Sequence, residues 1–134
     1  MSDVTFRYAK REDAELILKF IKDLARYEKM ENEVVATKEL LEEWLFEKEK
    51  AEVIFAVSDG KEIGFALFFH NFSTFLGRAG IYLEDLYVMP EYRGRGYGKA
   101  ILKKLAEIAI ERRCGRLELW CLNWNKPSID FYLS

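Results

Sequence analysis

Tyr92-Arg93-Gly94-Arg95-Gly96-Tyr97-Gly98-Lys99 is the stretch around which the fold is decided. An apolar, strand-like run, Ile81 to Met89, leads into it, and a long amphipathic run, Ala100 to Arg113, leads out. Glycine carries no Cβ, so Gly94, Gly96 and Gly98 permit positive φ and let backbone N–H groups come close to a ligand. The helix beyond adds the partial positive charge of its N-terminus. Arg93, Arg95 and Lys99 add full charges. The sum is an anion cradle, most simply for a pyrophosphate. Other glycine-rich designs fit less well. A P-loop closes on Lys-Ser or Lys-Thr, whereas Ala100 follows Lys99 here. The dinucleotide-binding spacing fails because the third glycine comes one residue early. An RGG-type RNA segment belongs in a low-complexity tail, not between a strand and a helix.

Working outward, 134 residues fit a single domain, and 50% apolar with 33% charged residues is a globular composition. A net charge of −2 argues against general nucleic-acid binding, which wants a basic surface, and leaves room for a cationic small substrate. Cys114 and Cys121 form neither a C-x-x-C nor a zinc pattern, so they read as reduced thiols of a cytosolic protein, with no metal expected. Met1-Ser2-Asp3 lacks the features of a signal peptide, and no apolar run approaches a membrane span.

Periodicity gives the elements. Val4, Phe6 and Tyr8 alternate with Thr5 and Arg7 as a first strand. Asp13 is placed to cap a helix over about 14–27, with Ile17, Phe20, Ile21, Leu24 and Tyr27 on one side. Thr37 can cap a second helix with Leu40, Leu41, Trp44 and Leu45 as its apolar face. Val53 to Val57 is a strand, Asp59-Gly60 a hairpin turn, and Ile63 to Phe69 the return strand, in which Gly64 marks a bulge or close packing. Asn71 to Gly80 reads as a loop with exposed Phe72 and Phe75. Ile81 to Met89 follows. Ile101, Leu102, Leu105, Ala106, Ile108 and Ala109 line the next helix, and Gly115 suits its C-cap. Leu117, Leu119 and Cys121 alternate in another strand, and Pro127 opens a last helix. The order β-α-α-β-β-β-α-β-α is a mixed α/β fold with helices on the faces of a sheet.

Arg93-x-x-Gly96-x-Gly98 resembles the acetyl-CoA loop of the GNAT N-acetyltransferase superfamily. Tyr82-Leu83-Glu84-Asp85-Leu86-Tyr87-Val88, Trp124-Asn125-Lys126-Pro127-Ser128-Ile129-Asp130-Phe131-Tyr132 and Leu24-Ala25-Arg26-Tyr27-Glu28 resemble its diamine/polyamine (spermidine/spermine-type) branch, so the likeness covers nearly the whole chain. It implies the GNAT fold, a mixed sheet splayed at the cleft that takes the pantetheine arm, and a homodimer. Members of this family continue past the last helix with a glycine turn and at least one more strand. The expectation is therefore a single acetyltransferase domain over 1–134 whose C-terminus is truncated, with the final strand or strands missing.

Moving an acetyl group from a thioester to an amine makes three demands. The donor must be held. The amine must lose a proton, because an alkylammonium with a pKa of about 10.4 is no nucleophile. The departing thiolate must be protonated. For the first, the resemblance implies Arg93, Gly94, Arg95, Gly96, Tyr97, Gly98 and Lys99 with acetyl-CoA as co-substrate, Asn125 and Ser128 near the coenzyme, and the backbone of Leu86, Tyr87 and Val88 pairing with the pantetheine amides. For the second, Glu84 and Asp85 are adjacent carboxylates in an apolar strand, where a charge is costly unless paired or used. Strand residues alternate, so only one of the two faces a given cleft. The residues alone leave a structural and a functional role equally open; the resemblance favours Glu84 as base, acting through a water, and as ammonium ligand. For the third, Tyr132 beside Phe131 reads by itself as core, but the resemblance implies that it is the general acid. Tyr27 and Glu28 match the family's substrate-binding pair. His70 reads as a strand-end surface residue, and an acyl-enzyme on Cys121 is not required. The expected function is acetylation of a small diamine, polyamine or lysine-like amine by direct attack; a protein or peptide N-acetyltransferase and a non-catalytic CoA-binding module are the alternatives.

Overall fold

The structure, a computed structural model, describes residues 4–119. The last predicted helix, Cys121, Asn125, Ser128 and Tyr132 lie outside these residues. Strands β1 (Val4–Tyr8), β2 (Glu52–Ser58), β3 (Lys61–Ser73), β4 (Arg78–Val88) and β5 (Leu117–Leu119) form one sheet in the order of the chain. The first four are antiparallel; β5 runs parallel to β4, with Ile81 opposite Leu117 and Leu83 opposite Leu119. Helix α1 (Ala14–Tyr27) precedes β2, a short α2 (Lys38–Leu41) continues into a π-helical turn (Glu42–Glu47), and α3 (Tyr97–Glu111) links β4 to β5. This is the mixed α/β arrangement expected from the sequence.

The sheet is packed on both faces because its central strands are apolar at consecutive positions. Ile54, Ala56, Ala66, Phe68, Ile81 and Leu83 face α3 and bury against Ile101, Leu105 and Ile108. Val53, Phe55, Phe65 and Tyr87 face α1 and bury against Ile17 and Phe20. The Phe20 ring lies 5.7 Å from that of Phe65 and 5.6 Å from that of Tyr87. Each such ring is worth about 1.5–3 kcal/mol of burial. Arg7 fixes the entry to α1, bonding both Asp13 oxygens at 2.8 and 3.0 Å and Glu62 at 3.0 Å.

Several local expectations change. Asp13 sits at the start of α1 but does not cap it with its side chain; the carboxylate serves Arg7 and the Lys10 N–H instead, and Arg7 holds its pKa below the usual range. Thr37 does cap, accepting from the Leu40 N–H at 3.1 Å. The π turn beyond rotates the predicted apolar face: Leu45 is buried, while Leu40 and Trp44 are exposed. Asp59 and Gly60 both take positive φ, 53° and 76°, as a two-residue hairpin turn requires. Gly64 is needed for close approach, since a Cβ there would stand 2.5 Å from the Tyr87 carbonyl oxygen. The predicted Asn71–Gly80 loop is mostly strand, because the ladder carries on through Phe72–Ala79 and Ser73–Arg78. The left-handed residue that ends α3 is Arg113, at φ 58°, not Gly115. Gly115 is instead squeezed, its missing Cβ lying 2.8 Å from Leu76. Among the described residues no helix is long and apolar enough to cross a membrane.

Candidate active site

Strand β4 carries the site, and one extra residue in it decides the site's layout. Opposite β4, Leu67 pairs with Asp85 but Phe68 pairs with Leu83. Glu84 is therefore a bulge. Before it, Ile81 and Leu83 face α3; after it, Leu86 and Val88 do. Strict alternation from Leu83 would turn Asp85 toward α3. The bulge turns it toward α1 with Tyr87 and leaves Glu84 exposed.

On the α1 side Asp85 lines a cavity of about 190 Å³ with Ile21, Leu24, Ala25, Met30 and Val34 as apolar walls and Glu28 and Glu33 as further carboxylates. Burial raises the Asp85 pKa to about 6, and the charges of Glu84 and Glu28 add to the rise. Burial also raises that of Glu28. A carboxylate kept from water beside other carboxylates is poised for a cation, whose arrival relieves both the desolvation and the repulsion. The structure thus brings Glu28 and Asp85 together. Asp85 was not singled out by sequence; the pair of carboxylates was visible, the bulge that selects between them was not.

At the other end of β4 the chain passes through a single 3₁₀ turn, Pro90–Tyr92, into the glycine loop. Gly94 and Gly96 take φ of 77° and 85°. Gly98 does not; it lies in the first turn of α3 with open space where a Cβ would be. Two of the three glycines are thus required by backbone conformation and the third leaves room. The first intrahelical bond is Ala100 N–H to Gly96 C=O at 3.0 Å, so the amides of Tyr97 and Gly98 come before the ladder begins and point out of the helix start. Arg95 lies over the Tyr92 ring at 5.5 Å, and Lys99 is exposed at the mouth. These residues fit a diphosphate: amides, a 15-residue helix behind them, and cations around them. Tyr97 offers only its backbone, because its side chain is buried in the α3 core, 3.5 Å from the Ser58 hydroxyl.

Between these ends, Leu86, Tyr87 and Val88 pair with Ala66, Phe65 and Gly64 of β3. Their other edge meets no strand among the described residues, β5 reaching only Leu83. Arg93 covers part of that edge, its Nε–H donating to the Val88 carbonyl at 2.7 Å. Its guanidinium lies 4.5 Å from the Tyr27 ring and 5.4 Å from that of Tyr87. Tyr27 is exposed at the end of α1. His70 is mid-strand rather than at a strand end, opposite Ile81 and beside Arg112 and Glu52, at the end of β4 remote from the loop.

Comparison with known proteins gives the family. Residues 18–134 match the acetyltransferase (GNAT) family. A thialysine N-epsilon-acetyltransferase of Sus scrofa is 40% identical across 98% of this chain and 82% of its own length. A spermidine/spermine N(1)-acetyltransferase-like protein 1 of Homo sapiens is 32% identical across 96% of this chain and 19% of its own length. An integron cassette protein from Vibrio cholerae has a solved structure that superposes with a TM-score of 0.76 at 29% identity, covering 99% of this chain and 84% of that one. The chain belongs to the GNAT acetyltransferases, and is an N-acetyltransferase that takes its acetyl group from acetyl-CoA.

Proposed function

We propose that the acceptor is a primary amine of a small molecule that carries a second cation: a lysine-like amino acid or a diamine or polyamine. The observation that carries this reading is the apolar groove holding Asp85 and Glu28 next to β4. A monoamine would leave the largely buried Asp85 and the partly buried Glu28 without an ammonium partner; a second ammonium satisfies them, each charge-assisted bond being worth about 1.5–3 kcal/mol. The names of the relatives, thialysine and spermidine/spermine acetyltransferases, fit the same chemistry.

In this reading the glycine loop and the Leu86–Val88 edge hold the coenzyme, with Asn125 and Ser128 nearby. Glu84, exposed at the bulge, takes the amine proton through a water. The neutral nitrogen then attacks the thioester carbonyl; as the tetrahedral intermediate collapses the C–S bond breaks, Tyr132 gives its proton to the leaving sulfur, and the second proton of the nitrogen passes through water to restore the phenol. Tyr27 and Glu28 bind the far end of the substrate together with Asp85. The test is kcat/KM with acetyl-CoA for thialysine, ornithine, 1,4-diaminobutane, spermidine and a monoamine of matched length. The dicationic amines should exceed the monoamine by at least about tenfold, the worth of one such bond. In the same assay Tyr132→Phe should lower kcat by about 10²–10⁴ with little change in CoA affinity. Equal rates for all amines, or turnover confined to peptides, would replace this reading by that of a protein acetyltransferase. CoA binding without any turnover would leave a binding module.

The proposal extends to a homodimer. Phe75 is fully exposed, and Phe72 and Leu76 are more than half exposed, at the tip of the β3–β4 hairpin, an apolar surface suited to a second copy. Sedimentation at micromolar concentration should show a dimer that Phe75→Ser weakens; a monomer throughout would end the idea.

A further inference from the structure

We infer that Arg93 couples the coenzyme site to the amine site, holding the amine site shut until coenzyme arrives. The inference rests on the reading of Tyr27 and the Asp85 groove as the amine site. Arg93 opens the glycine loop, yet its side chain is turned away toward the other substrate. Its Nε–H is on the Val88 carbonyl at 2.7 Å, and its guanidinium is 4.5 Å from Tyr27. Both partners belong to surfaces that the reaction needs: Val88 to the edge that pairs with the pantetheine arm, Tyr27 to the end of α1 beside Glu28.

To serve an anion held by the loop amides, the Arg93 guanidinium would swing from Tyr27 and Val88 toward the loop. While it lies on Tyr27 it fills the cation position that the tyrosine offers, and a substrate ammonium brought there meets a like charge. A diphosphate in the loop is a much stronger attractor for arginine than an exposed ring. Drawing Arg93 into the loop would withdraw its guanidinium from the Val88 carbonyl and the Tyr27 ring in one movement. Arg95, the neighbouring cation, lies over Tyr92 instead, with no such link to α1 among the described residues. By linkage the effect is reciprocal: coenzyme tightens amine binding, and amine tightens coenzyme binding, by the same factor.

The test is calorimetry with thialysine as the amine and CoA as a non-reactive coenzyme. With the unmodified chain, CoA should tighten thialysine binding at least about fivefold, the low end of ordinary coupling. Arg93→Met, a change at an exposed position, should bind thialysine without CoA about two- to fivefold more tightly than the unmodified chain does, the range of an exposed cation–π contact. Arg95→Met should leave the CoA-free thialysine affinity unchanged. The Arg93→Met measurement needs no CoA, so it stands even if that variant holds coenzyme poorly. An unchanged or weakened CoA-free affinity in Arg93→Met, an equal gain in Arg95→Met, or no effect of CoA on the unmodified chain would each overturn the coupling. Failure of the underlying reading looks different: neither thialysine nor the other dicationic amines would then bind the CoA-loaded chain at all.

Discussion

On the side of β4 that faces α3, Ile81, Leu83, Leu86 and Val88 meet an apolar helix face, and the strand runs out into a loop of glycines and cations. On the side that faces α1, the same strand puts Asp85 into a groove shared with Glu28 and Glu33. In the reading proposed above, the first side ends in a site for an anion and the second holds a site for a cation, with Arg93 reaching from one to the other. The bulge at Glu84 creates the asymmetry. It lets a strand that is continuous for the core change which face each of its side chains serves.

The largest effect should come from breaking the anion side at its backbone. Gly96 stands at φ 85°, a conformation in which a β-branched residue is a true outlier, and it is the residue before α3. Gly96→Val should lower CoA affinity by more than about 100-fold, since it disturbs the amides themselves. It should leave the Asp85 groove, on the other side of the strand, intact. Calorimetry with CoA checks the first part. Unchanged CoA affinity would remove the loop from the coenzyme site.

A smaller effect, opposite in sign for stability and for binding, should come from the cation side. The Asp85 pKa is raised to about 6 in the folded chain, against about 3.9 when unfolded. A carboxylate raised in this way costs nothing below its unfolded pKa, where it is protonated in both states. Its penalty grows as pH rises through 4 to 6, and is complete above that window. Asp85→Asn should therefore match the unmodified chain in stability near pH 3.5 and exceed it at pH 7 by on the order of 2–3 kcal/mol. The same variant should lose affinity for dicationic amines, the usual exchange of function for stability at such a site. Denaturant melts across this pH range check it. Equal stability of the two proteins at pH 7 would mean that Asp85 is solvated and the groove is not a cation site.

The two sides also differ in how far they could be read from residues alone. The anion side was legible because its signal is local: glycines, cations and a helix start fall within eight consecutive positions, Tyr92 to Lys99. So were the main helices and the Asp59-Gly60 turn, which depend on spacing within a few residues. The cation side is assembled from α1, the segment after it and β4, and its key residue is set by a pairing slip between Phe68 and Leu83. Nothing in Leu83-Glu84-Asp85-Leu86 marks which carboxylate is the extra one, because a bulge belongs to two strands at once. The overlong β3–β4 hairpin escaped for a related reason. Asn71, Ser73 and Gly77 have turn composition, but Phe72 opposite Ala79 continues a ladder already fixed further in.

The smallest expected effect tests whether the groove counts charges. Glu28 sits at the end of α1, partly buried, with its pKa raised by burial, and it lines the same cavity as Asp85. If the far ammonium of the substrate is held by both carboxylates, neutralising the more exposed one should cost only part of the binding, while Asp85 keeps the rest. Glu28→Gln preserves shape and removes the charge. It also relieves repulsion on Asp85, since Glu28 contributes to that residue's raised pKa, so Asp85 should ionise at lower pH in the variant. The predicted outcome is a KM for thialysine or 1,4-diaminobutane raised about three- to tenfold at pH 7.5, within the range of a partly solvated charged hydrogen bond, with kcat little changed. For a monoamine of equal length KM should hardly move. At pH 5.5 the loss should shrink, because the variant's Asp85 is then more fully charged than that of the unmodified chain. Steady-state kinetics at the two pH values read this directly. Equal losses for mono- and diamines would show that Glu28 only shapes the end of α1, and a loss that grows at low pH would show that the two carboxylates do not share one cation.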